Sequence, residues 1–214
     1  MNNPSPIISI NRTETKMFQR EEAFLQLSQQ FAEQNFIRLP GILNKELLHE
    51  FHEQIESGGW QERVHDHIGT EVCASDKGLV GLLNFLMNDV DLFHFLERVT
   101  GCEKIGCFAG RVYRMVPNSG HYDSWHGDVG ENRLLALSMN FGYEPHDGGI
   151  LEIRKRRPEA APTKVPNPGF GDAILFRISP ELEHRVTNVV GSVPKTAFAG
   201  WFQSEPDFLE SLRR

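Results

Sequence analysis

Apolar side chains between residues 21 and 100 recur at the three- and four-residue spacing of amphipathic helices. The first such stretch predicts a helix over residues 21–34, with an inner stripe made of Phe24, Leu27, Phe31 and Ala32. Asn44 is a suitable N-cap for a second helix that runs to Ile55. Two more helices are predicted over residues 79–87 and 89–100, and short strands over residues 7–10 and 36–39. We expect these helices to pack against a sheet.

From residue 104 onward the pattern changes to short β-type segments that are separated by turn residues. The predicted strands cover residues 110–116, 134–141, 150–153, 173–178, 184–190 and 196–202. Short strands at this spacing are typical of a sandwich or a barrel. Helices followed by a β-region indicate an α+β fold that is mainly β, with the helices buttressing one sheet. We therefore predict one domain over residues 1–214, with a helical part up to about residue 103 and a β-rich core over about residues 104–204.

Composition and charge exclude several classes of protein. The 214 residues carry a formal net charge of −7, which argues against non-specific binding to nucleic acid. No apolar run is long enough to span a membrane, and the N-terminus lacks the features of a signal peptide. The three cysteines show neither a disulfide framework nor the spacing of a zinc site. We expect a cytoplasmic protein with neither nucleic acid nor membrane as a partner.

A candidate metal site lies in Trp125-His126-Gly127-Asp128. His126 and Asp128 are two positions apart, so both project from the same side of an extended segment. His184 supplies a second imidazole later in the chain. Two histidines and one carboxylate can occupy one face of an octahedral Fe(II) and leave the other positions open. Taken singly, each histidine could equally be a structural residue.

A second pair of histidines lies in His65-Asp66-His67. A His-x-His pair on a strand can bind a metal ion. Here no third ligand follows at a recognisable spacing, and the surrounding residues are polar. We predict a surface loop at this position.

The segments that follow the His-x-Asp motif come in a recognisable order. Gly148-Gly149 and Gly171-Asp172 each lead into a strand, His184-Arg185-Val186 begins another, and residues 195–202 form the last. Over residues 110–202 this series resembles the iron(II)/2-oxoglutarate-dependent dioxygenases, most closely their prolyl-hydroxylase-like branch. The resemblance implies a double-stranded β-helix, or jelly roll, with iron at its open end. His126, Asp128 and His184 match the facial triad of the family.

The resemblance also implies a site for 2-oxoglutarate. In the family, a basic residue on the last core strand pairs with the distal carboxylate of this cosubstrate, and Lys195 stands at that position. The wider family mostly has arginine there, whereas prolyl hydroxylases tolerate lysine. Alternation along the strand puts Lys195, Ala197, Ala199 and Trp201 on one face, where the two alanines leave room for a slender ligand.

Two residues on the preceding strand are further candidates for cosubstrate binding. Tyr113 matches a family tyrosine whose phenol can hydrogen-bond the same carboxylate, although a packing role is nearly as plausible. Arg111 lies on the same strand face and is the alternative cation, whereas Arg185 should point away because it directly follows His184. Five other polar or aromatic residues could reach a substrate pocket, but ordinary sheet packing is the better prediction for them: His121, Trp125, Ser138, Asn140 and Arg177.

The resemblance therefore implies an oxygenase that needs Fe(II), 2-oxoglutarate and O2. It would hydroxylate an unactivated C–H bond of an amino-acid, peptidyl or small-metabolite substrate and release succinate and CO2. The presence of Asp128 favours hydroxylation over halogenation, because related halogenases have a small residue there. The alternative is a non-catalytic β-sandwich or cupin-like protein that binds a small molecule, with a vestigial or structural metal site. The sequence leaves the substrate and the oligomeric state open.

Overall fold

The computed structural model describes residues 6–18, 21–130, 132–157 and 159–206. Its helices are α1 Glu21–Gln34, α2 Lys45–Ser57, α3 Lys77–Met87 and α4 Val90–Thr100. Its strands are β1 Ile8–Ile10, β2 Thr15–Met17, β3 Phe36–Leu39, β4 Trp60–His65, β5 Gly69–Ala74, β6 Cys107–Met115, β7 Tyr122–Asp123, β8 Arg133–Asn140, β9 Asp147–Gly148, β10 Leu151–Lys155, β11 Thr163–Val165, β12 Ala173–Arg177, β13 Leu182–Val186, β14 Val189–Val190 and β15 Lys195–Gln203.

α2 and α4 begin where their capping residues predict, whereas α3 begins two residues earlier than predicted, at Lys77, behind the N-cap Asp76. The side chain of Asn44 accepts a hydrogen bond from the backbone N–H of Leu47 at 2.9 Å, and Asp89 caps α4 in the same way. α4 ends at Gly101, which adopts a left-handed φ of 65°. One position of the predicted stripe on α1 is wrong: Ala32 is exposed. It lies one residue beyond Phe31, which turns it about 100° away from the buried face.

A large antiparallel sheet lies between the four helices and a smaller sheet. Its strand order is β3-β12-β8-β15-β6-β5-β4, and β7 pairs with β5. One face packs on the helices, so that apolar side chains of α1 to α4 and of the sheet form the main core. A smaller sheet, β11-β10-β13, packs on the other face through a second apolar cluster that includes Ile153 and Phe176. This arrangement is the jelly roll, buttressed by N-terminal helices, that the sequence predicts.

The hairpin β4–β5 is an addition that the sequence did not indicate. It extends the large sheet, with Trp60 opposite Ala74 and His65 opposite Gly69. The prediction of a surface loop at His65-Asp66-His67 is therefore wrong for His65, which ends β4 and has a side chain that is only 25% exposed. Asp66 and His67 are exposed in the turn, as predicted. The side chains of β4 are mostly polar and solvent-facing, so this edge strand carries no apolar alternation.

Among the described residues, no single helix is long and apolar enough to cross a bilayer. α3 and α4 together reach the required length and composition, but the pair is bent by 59°.

Candidate active site

Backbone pairing brings the two predicted metal-binding histidines together. His126 and His184 form an isolated antiparallel bridge, in which the N–H of each donates to the carbonyl of the other at 3.0 and 2.9 Å. Their ring centroids are therefore 4.4 Å apart. His184 lies on β13, which the neighbouring strand β10 aligns by pairing Ile153 with His184. The second sheet thus positions one ligand directly and the other through the bridge.

Asp128 completes the cluster from the turn that follows His126. Its Oδ1 lies 3.7 Å from Nε2 of His126, and its Oδ2 lies 3.3 Å from Nε2 of His184. One donor atom from each of the three residues falls within 4.8 Å of the others. Neighbouring donors on an octahedron lie about 3 Å apart when each bond is about 2.1 Å. Two imidazoles and a carboxylate at this spacing fit a facial site for an ion such as Fe(II).

Hydrogen bonding presents the correct nitrogen of His126 to this cluster. Nδ1 of His126 lies 2.7 Å from the carbonyl oxygen of Ser124. A carbonyl oxygen only accepts hydrogen bonds, so Nδ1 carries the proton and Nε2 keeps its lone pair. Oδ1 of Asp123, at 3.5 Å from Nδ1, favours the same tautomer. A metal-binding histidine is typically oriented through its second nitrogen in this way.

The Asp128 carboxylate is held in its ionised form. Burial would raise its pKa, but the contact with His184 and the hydrogen bond from the indole of Trp201 together lower the pKa of Asp128 to about 2. Nε1 of Trp201 donates to Oδ2 at 2.7 Å. The guanidinium of Arg133 stacks on the Trp201 ring at 3.7 Å and lies 3.5 Å from Oδ1. These neighbours fix the orientation of the carboxylate as well as its charge.

The cluster opens into a cavity of about 330 Å³ between the two sheets. All six residues that the sequence singles out line this cavity: Arg111, Tyr113, His126, Asp128, His184 and Lys195. Ser138 also lines it, which corrects its prediction as a packing residue. The strand register explains the convergence, because β15 places Ala197 opposite Tyr113 and Ala199 opposite Arg111. Side chains on this face of β6 and β15 therefore point towards the same space.

Lys195 is a buried cation at one end of the cavity. It is 5% exposed, and its Nζ donates to the carbonyl oxygen of Gly149 at 2.7 Å. Among the described residues, no carboxylate lies within ion-pair distance of this ammonium group. Burial lowers the pKa of Lys195 to about 8, and the negative charge of Asp123 opposes this shift. A cation in these surroundings fits a ligand that brings its own carboxylate.

Tyr113 lies on the neighbouring strand and is also buried. Burial, followed by the negative charges of Glu71 and Asp123, raises the pKa of Tyr113. The side chain therefore stays a neutral phenol, which donates a hydrogen bond. It can donate a hydrogen bond to an anion in the cavity, and it carries no negative charge that would repel the anion.

Arg111 differs from Lys195 because a protein carboxylate already accompanies it. Its Nε donates to Oε1 of Glu71 at 2.6 Å. Oε1 of Glu71 also lies 3.4 Å from Nε2 of His65. Both partners belong to the unpredicted hairpin, so sequence reasoning missed Glu71 and placed His65 in a surface loop. The alternation of Thr70 and Val72 around Glu71 is the signal that could have marked a strand there.

The other candidates from the sequence do not line the cavity. The ring of Trp125 contacts the guanidinium groups of Arg154 and Arg185, at 3.9 and 4.7 Å. Asn140 bonds to the backbone of Gly142, and Arg177 lies over the Phe31 ring. His121 accepts a hydrogen bond from the N–H of Val116. As predicted, Arg185 points away, and it pairs with Glu152 at 2.8 Å.

The sequence matches a known family over its β-rich half. Residues 110–203 match the sequence model of the 2OG-Fe(II) oxygenase superfamily. This segment contains all six predicted site residues. No curated protein sequence matches the chain significantly.

Solved structures with the same fold cover nearly the whole chain. An oxidoreductase of the 2OG-Fe(II) oxygenase family from Burkholderia pseudomallei has a TM-score of 0.65 at 14% identity, covering 94% of this chain and 97% of its own. A Trichoplax adhaerens prolyl hydroxylase, in complex with a peptide fragment of the hypoxia inducible factor oxygen degradation domain, has a TM-score of 0.65 at 16% identity, with 89% and 93% covered. A Pseudomonas putida prolyl-4-hydroxylase has a TM-score of 0.60 at 18% identity, with 84% and 98% covered. At these identities the likeness establishes the shared fold.

Proposed function

We propose that this chain is an iron(II)/2-oxoglutarate-dependent oxygenase, in keeping with its match to the 2OG-Fe(II) oxygenase superfamily over residues 110–203, and that it hydroxylates an amino-acid, peptidyl or small-metabolite substrate at an unactivated C–H bond. One observation carries the proposal. A two-histidine, one-carboxylate cluster and a buried lysine without a carboxylate partner among the described residues line the same cavity. The first fits the metal, and the second fits the dicarboxylate cosubstrate.

In this proposal, His126, Asp128 and His184 hold the iron. Iron held by these residues, together with 2-oxoglutarate and O2, would supply the chemistry that inserts one oxygen atom into the C–H bond and converts the cosubstrate into succinate and CO2. The protein keeps the three ligands on one face, so that the opposite positions stay available. Ser124 and Asp123 hold the tautomer of His126, and Trp201 and Arg133 hold the carboxylate of Asp128.

Lys195 and Tyr113 bind the distal carboxylate of 2-oxoglutarate in this proposal. Lys195 offers a point charge in a region from which water is excluded, and Tyr113 offers a neutral O–H donor. The small side chains of Ala197 and Ala199 leave space beside them for the carbon chain of the ligand. Arg111 is the poorer anchor, because Glu71 already neutralises its charge.

The substrate enters the remaining part of the cavity, beside Trp201 and the β4–β5 hairpin. The peptide in the Trichoplax structure belongs to that protein, and it makes a peptidyl substrate one of the classes to test. The wall formed by His65, Glu71 and Arg111 is polar and charged. It therefore suits a substrate with polar groups close to the oxidised carbon.

The test is to replace Asp128 with Ala and to measure Fe(II) affinity, together with the visible charge-transfer band that Fe(II) and 2-oxoglutarate give without oxygen. Loss of a ligand is expected to weaken Fe(II) binding by more than about a hundredfold, which exceeds the usual effect of removing a partner of a ligand. The fold should persist, because Asp128 is not part of the apolar core. Asp66→Ala, on the exposed hairpin turn, is the matched control and should bind iron like the wild type. Normal iron binding by Asp128→Ala would refute the site.

A further inference from the structure

Glu71 and Arg111 form an ion pair inside the cavity that the proposed iron and 2-oxoglutarate sites leave unused. Glu71 is 8% exposed, and the side chain of Arg111 is 22% exposed. They come from adjacent strands, β5 and β6, and both line the cavity that contains the metal-binding cluster. Among the described residues, the Glu71 carboxylate makes its contacts through Oε1. This oxygen lies 2.6 Å from Nε of Arg111, 3.4 Å from Nε2 of His65 and 3.5 Å from Sγ of Cys73.

Each partner keeps polar atoms available for a ligand. Oε2 of Glu71 has no hydrogen bond with any described residue. Arg111 bonds to Glu71 through Nε, and its two terminal nitrogens have no hydrogen bond with any described residue either. A guanidinium that is held side-on through Nε presents its outer edge as a fork that can bind a carboxylate through two parallel hydrogen bonds. The second oxygen of Glu71 can accept a hydrogen bond from an ammonium group.

The pair lies within reach of the metal-binding cluster. The guanidinium carbon of Arg111 is 5.7 Å from the centre of the Trp201 ring and 5.8 Å from that of Tyr113. Trp201 in turn donates to Asp128 at 2.7 Å. The pair and the cluster therefore line the same cavity and are linked through a single residue, Trp201.

The charge of the pair selects the class of ligand. Burying an ion pair contributes little net stability, and apolar residues of similar size are often at least as stable. The pair is neutral overall, so a ligand with a single charge would leave one of the partners unbalanced. A zwitterion balances both. We propose that Glu71 and Arg111 bind the α-ammonium and α-carboxylate groups of a free amino acid, whose side chain is then presented for oxidation. This inference rests on the proposed oxygenase function and names its substrate class.

The test compares three sets of small molecules under nitrogen, where no turnover occurs. The full chain, loaded with Fe(II) and 2-oxoglutarate, is dialysed against the proteinogenic L-amino acids, against their C-terminal amides, and against their N-acetyl derivatives. Retained compounds are quantified by mass spectrometry. We expect at least one free amino acid to be retained, and its amide and its N-acetyl form to bind at least about tenfold more weakly, since each has lost one charge-assisted hydrogen bond.

Matched variants assign the two contacts. Glu71→Gln should weaken retention of the free amino acid by about tenfold and remove the preference over its N-acetyl form. Arg111→Gln should weaken retention of the free amino acid by a similar factor and remove the preference over its C-terminal amide. Arg111→Lys should restore part of that preference. The control is Glu56→Gln. Glu56 pairs with Arg114, which lies on β6 like Arg111, but neither Glu56 nor Arg114 lines the cavity. This control should retain amino acids like the wild type.

Three outcomes would overturn the inference. They are retention of the amide or the N-acetyl form as tightly as the free amino acid, no retention of any free amino acid, and unchanged preferences in both Glu71→Gln and Arg111→Gln. In each case the pair only joins β5 to β6. If an amide or N-acetyl form, which mimics one end of a peptide, is retained where the free amino acid is not, a peptidyl substrate is indicated and the inference fails. The charge-transfer band of the same sample reports separately on the oxygenase site, so failure of that site is distinguished from failure of zwitterion binding.

Discussion

Lys195 shows how a single residue can be costly for the fold and useful for the site. The residue is 5% exposed, and within the described residues the one hydrogen bond of its ammonium group goes to a neutral acceptor, the carbonyl of Gly149 at 2.7 Å. That carbonyl is available because Gly148 and Gly149 adopt φ values of 70° and 62°. A Cβ on Gly149 would lie 2.9 Å from Cε1 of His146 and 3.0 Å from Cδ of Lys195. The double glycine is therefore required by the geometry around the lysine.

Replacing Lys195 tests whether charge or shape binds the cosubstrate. Removal of one partner from a desolvated charge pair costs about 3–5 kcal/mol. At about 1.4 kcal/mol per decade, Lys195→Ala should raise the apparent dissociation constant of 2-oxoglutarate by roughly two to three orders of magnitude. Lys195→Arg keeps the charge and should have a much smaller effect. Lys164→Ala is the control, because the side chain of Lys164 on β11 is exposed. The measurement is a titration of the charge-transfer band, and a wild-type curve for Lys195→Ala would make Arg111 the next residue to test.

At the scale of elements, the sequence predicts those that bury an apolar face. α1 to α4 and the main strands β6, β8, β10, β12 and β15 have clear periodicity, caps or turn residues, and they were predicted to within a few residues. The hairpin β4–β5 was missed because the residues of β4 are polar and face solvent. Glu71 was missed together with its strand. The six predicted site residues were found through the order of their motifs, which reflects the order of the strands that carry them.

The pairing of β6 with β15 depends on two glycines that face each other, Gly110 and Gly200. A Cβ on Gly200 would lie 2.2 Å from the carbonyl oxygen of Ala109 and 2.4 Å from the Cα of Gly110, both of which are backbone atoms. Gly200→Ala should therefore force the strands apart and destabilise the fold by about 3 kcal/mol. Gly81→Ala is the control, because a Cβ there meets no atom within 4 Å and Gly81 lies in α3.

The Gly81→Ala variant should gain about 0.5–1 kcal/mol, because alanine has the higher helix propensity. Urea unfolding monitored by circular dichroism measures both effects. If Gly200→Ala and the wild type unfold at the same urea concentration, β6 and β15 do not depend on this close approach.

At the scale of the whole molecule, the large sheet separates two different environments. The face towards the helices is filled with apolar side chains of the main core. The opposite face presents Glu71, Arg111 and Lys195 to the cavity, which the cluster of His126, Asp128 and His184 also lines. Buried charges on this face reduce stability, and the apolar packing on the other face compensates for them. The ligand-free protein should therefore carry a measurable cost of maintaining its site.

The pH dependence of unfolding should reveal the part of this cost that comes from Lys195. Its pKa is about 8 in the folded protein, against an ordinary value of 10.5. Below pH 8 the lysine is protonated in both states, and the burial cost is fully present. Between pH 8 and 10.5 the unfolded state binds more protons, so stability rises with pH and then levels off. At about 1.4 kcal/mol per pKa unit, this contribution amounts to about 3 kcal/mol.

Comparison with Lys195→Met cancels the contribution of titrating groups that Lys195 does not influence. His146 is an exception, because the charge of Lys195 helps to lower its pKa. Methionine keeps an unbranched side chain and removes the charge, but it leaves the carbonyl of Gly149 without its hydrogen bond, at a cost of about 1 kcal/mol. At pH 7 the ligand-free variant should therefore be more stable than the wild type by about 2 kcal/mol. The difference should shrink as the pH rises towards 10 and then reverse. Fe(II) with 2-oxoglutarate at pH 7 should stabilise the wild type and hardly affect the variant. A gap in the free energy of unfolding that does not change with pH would mean that Lys195 is not a buried cation in the free protein.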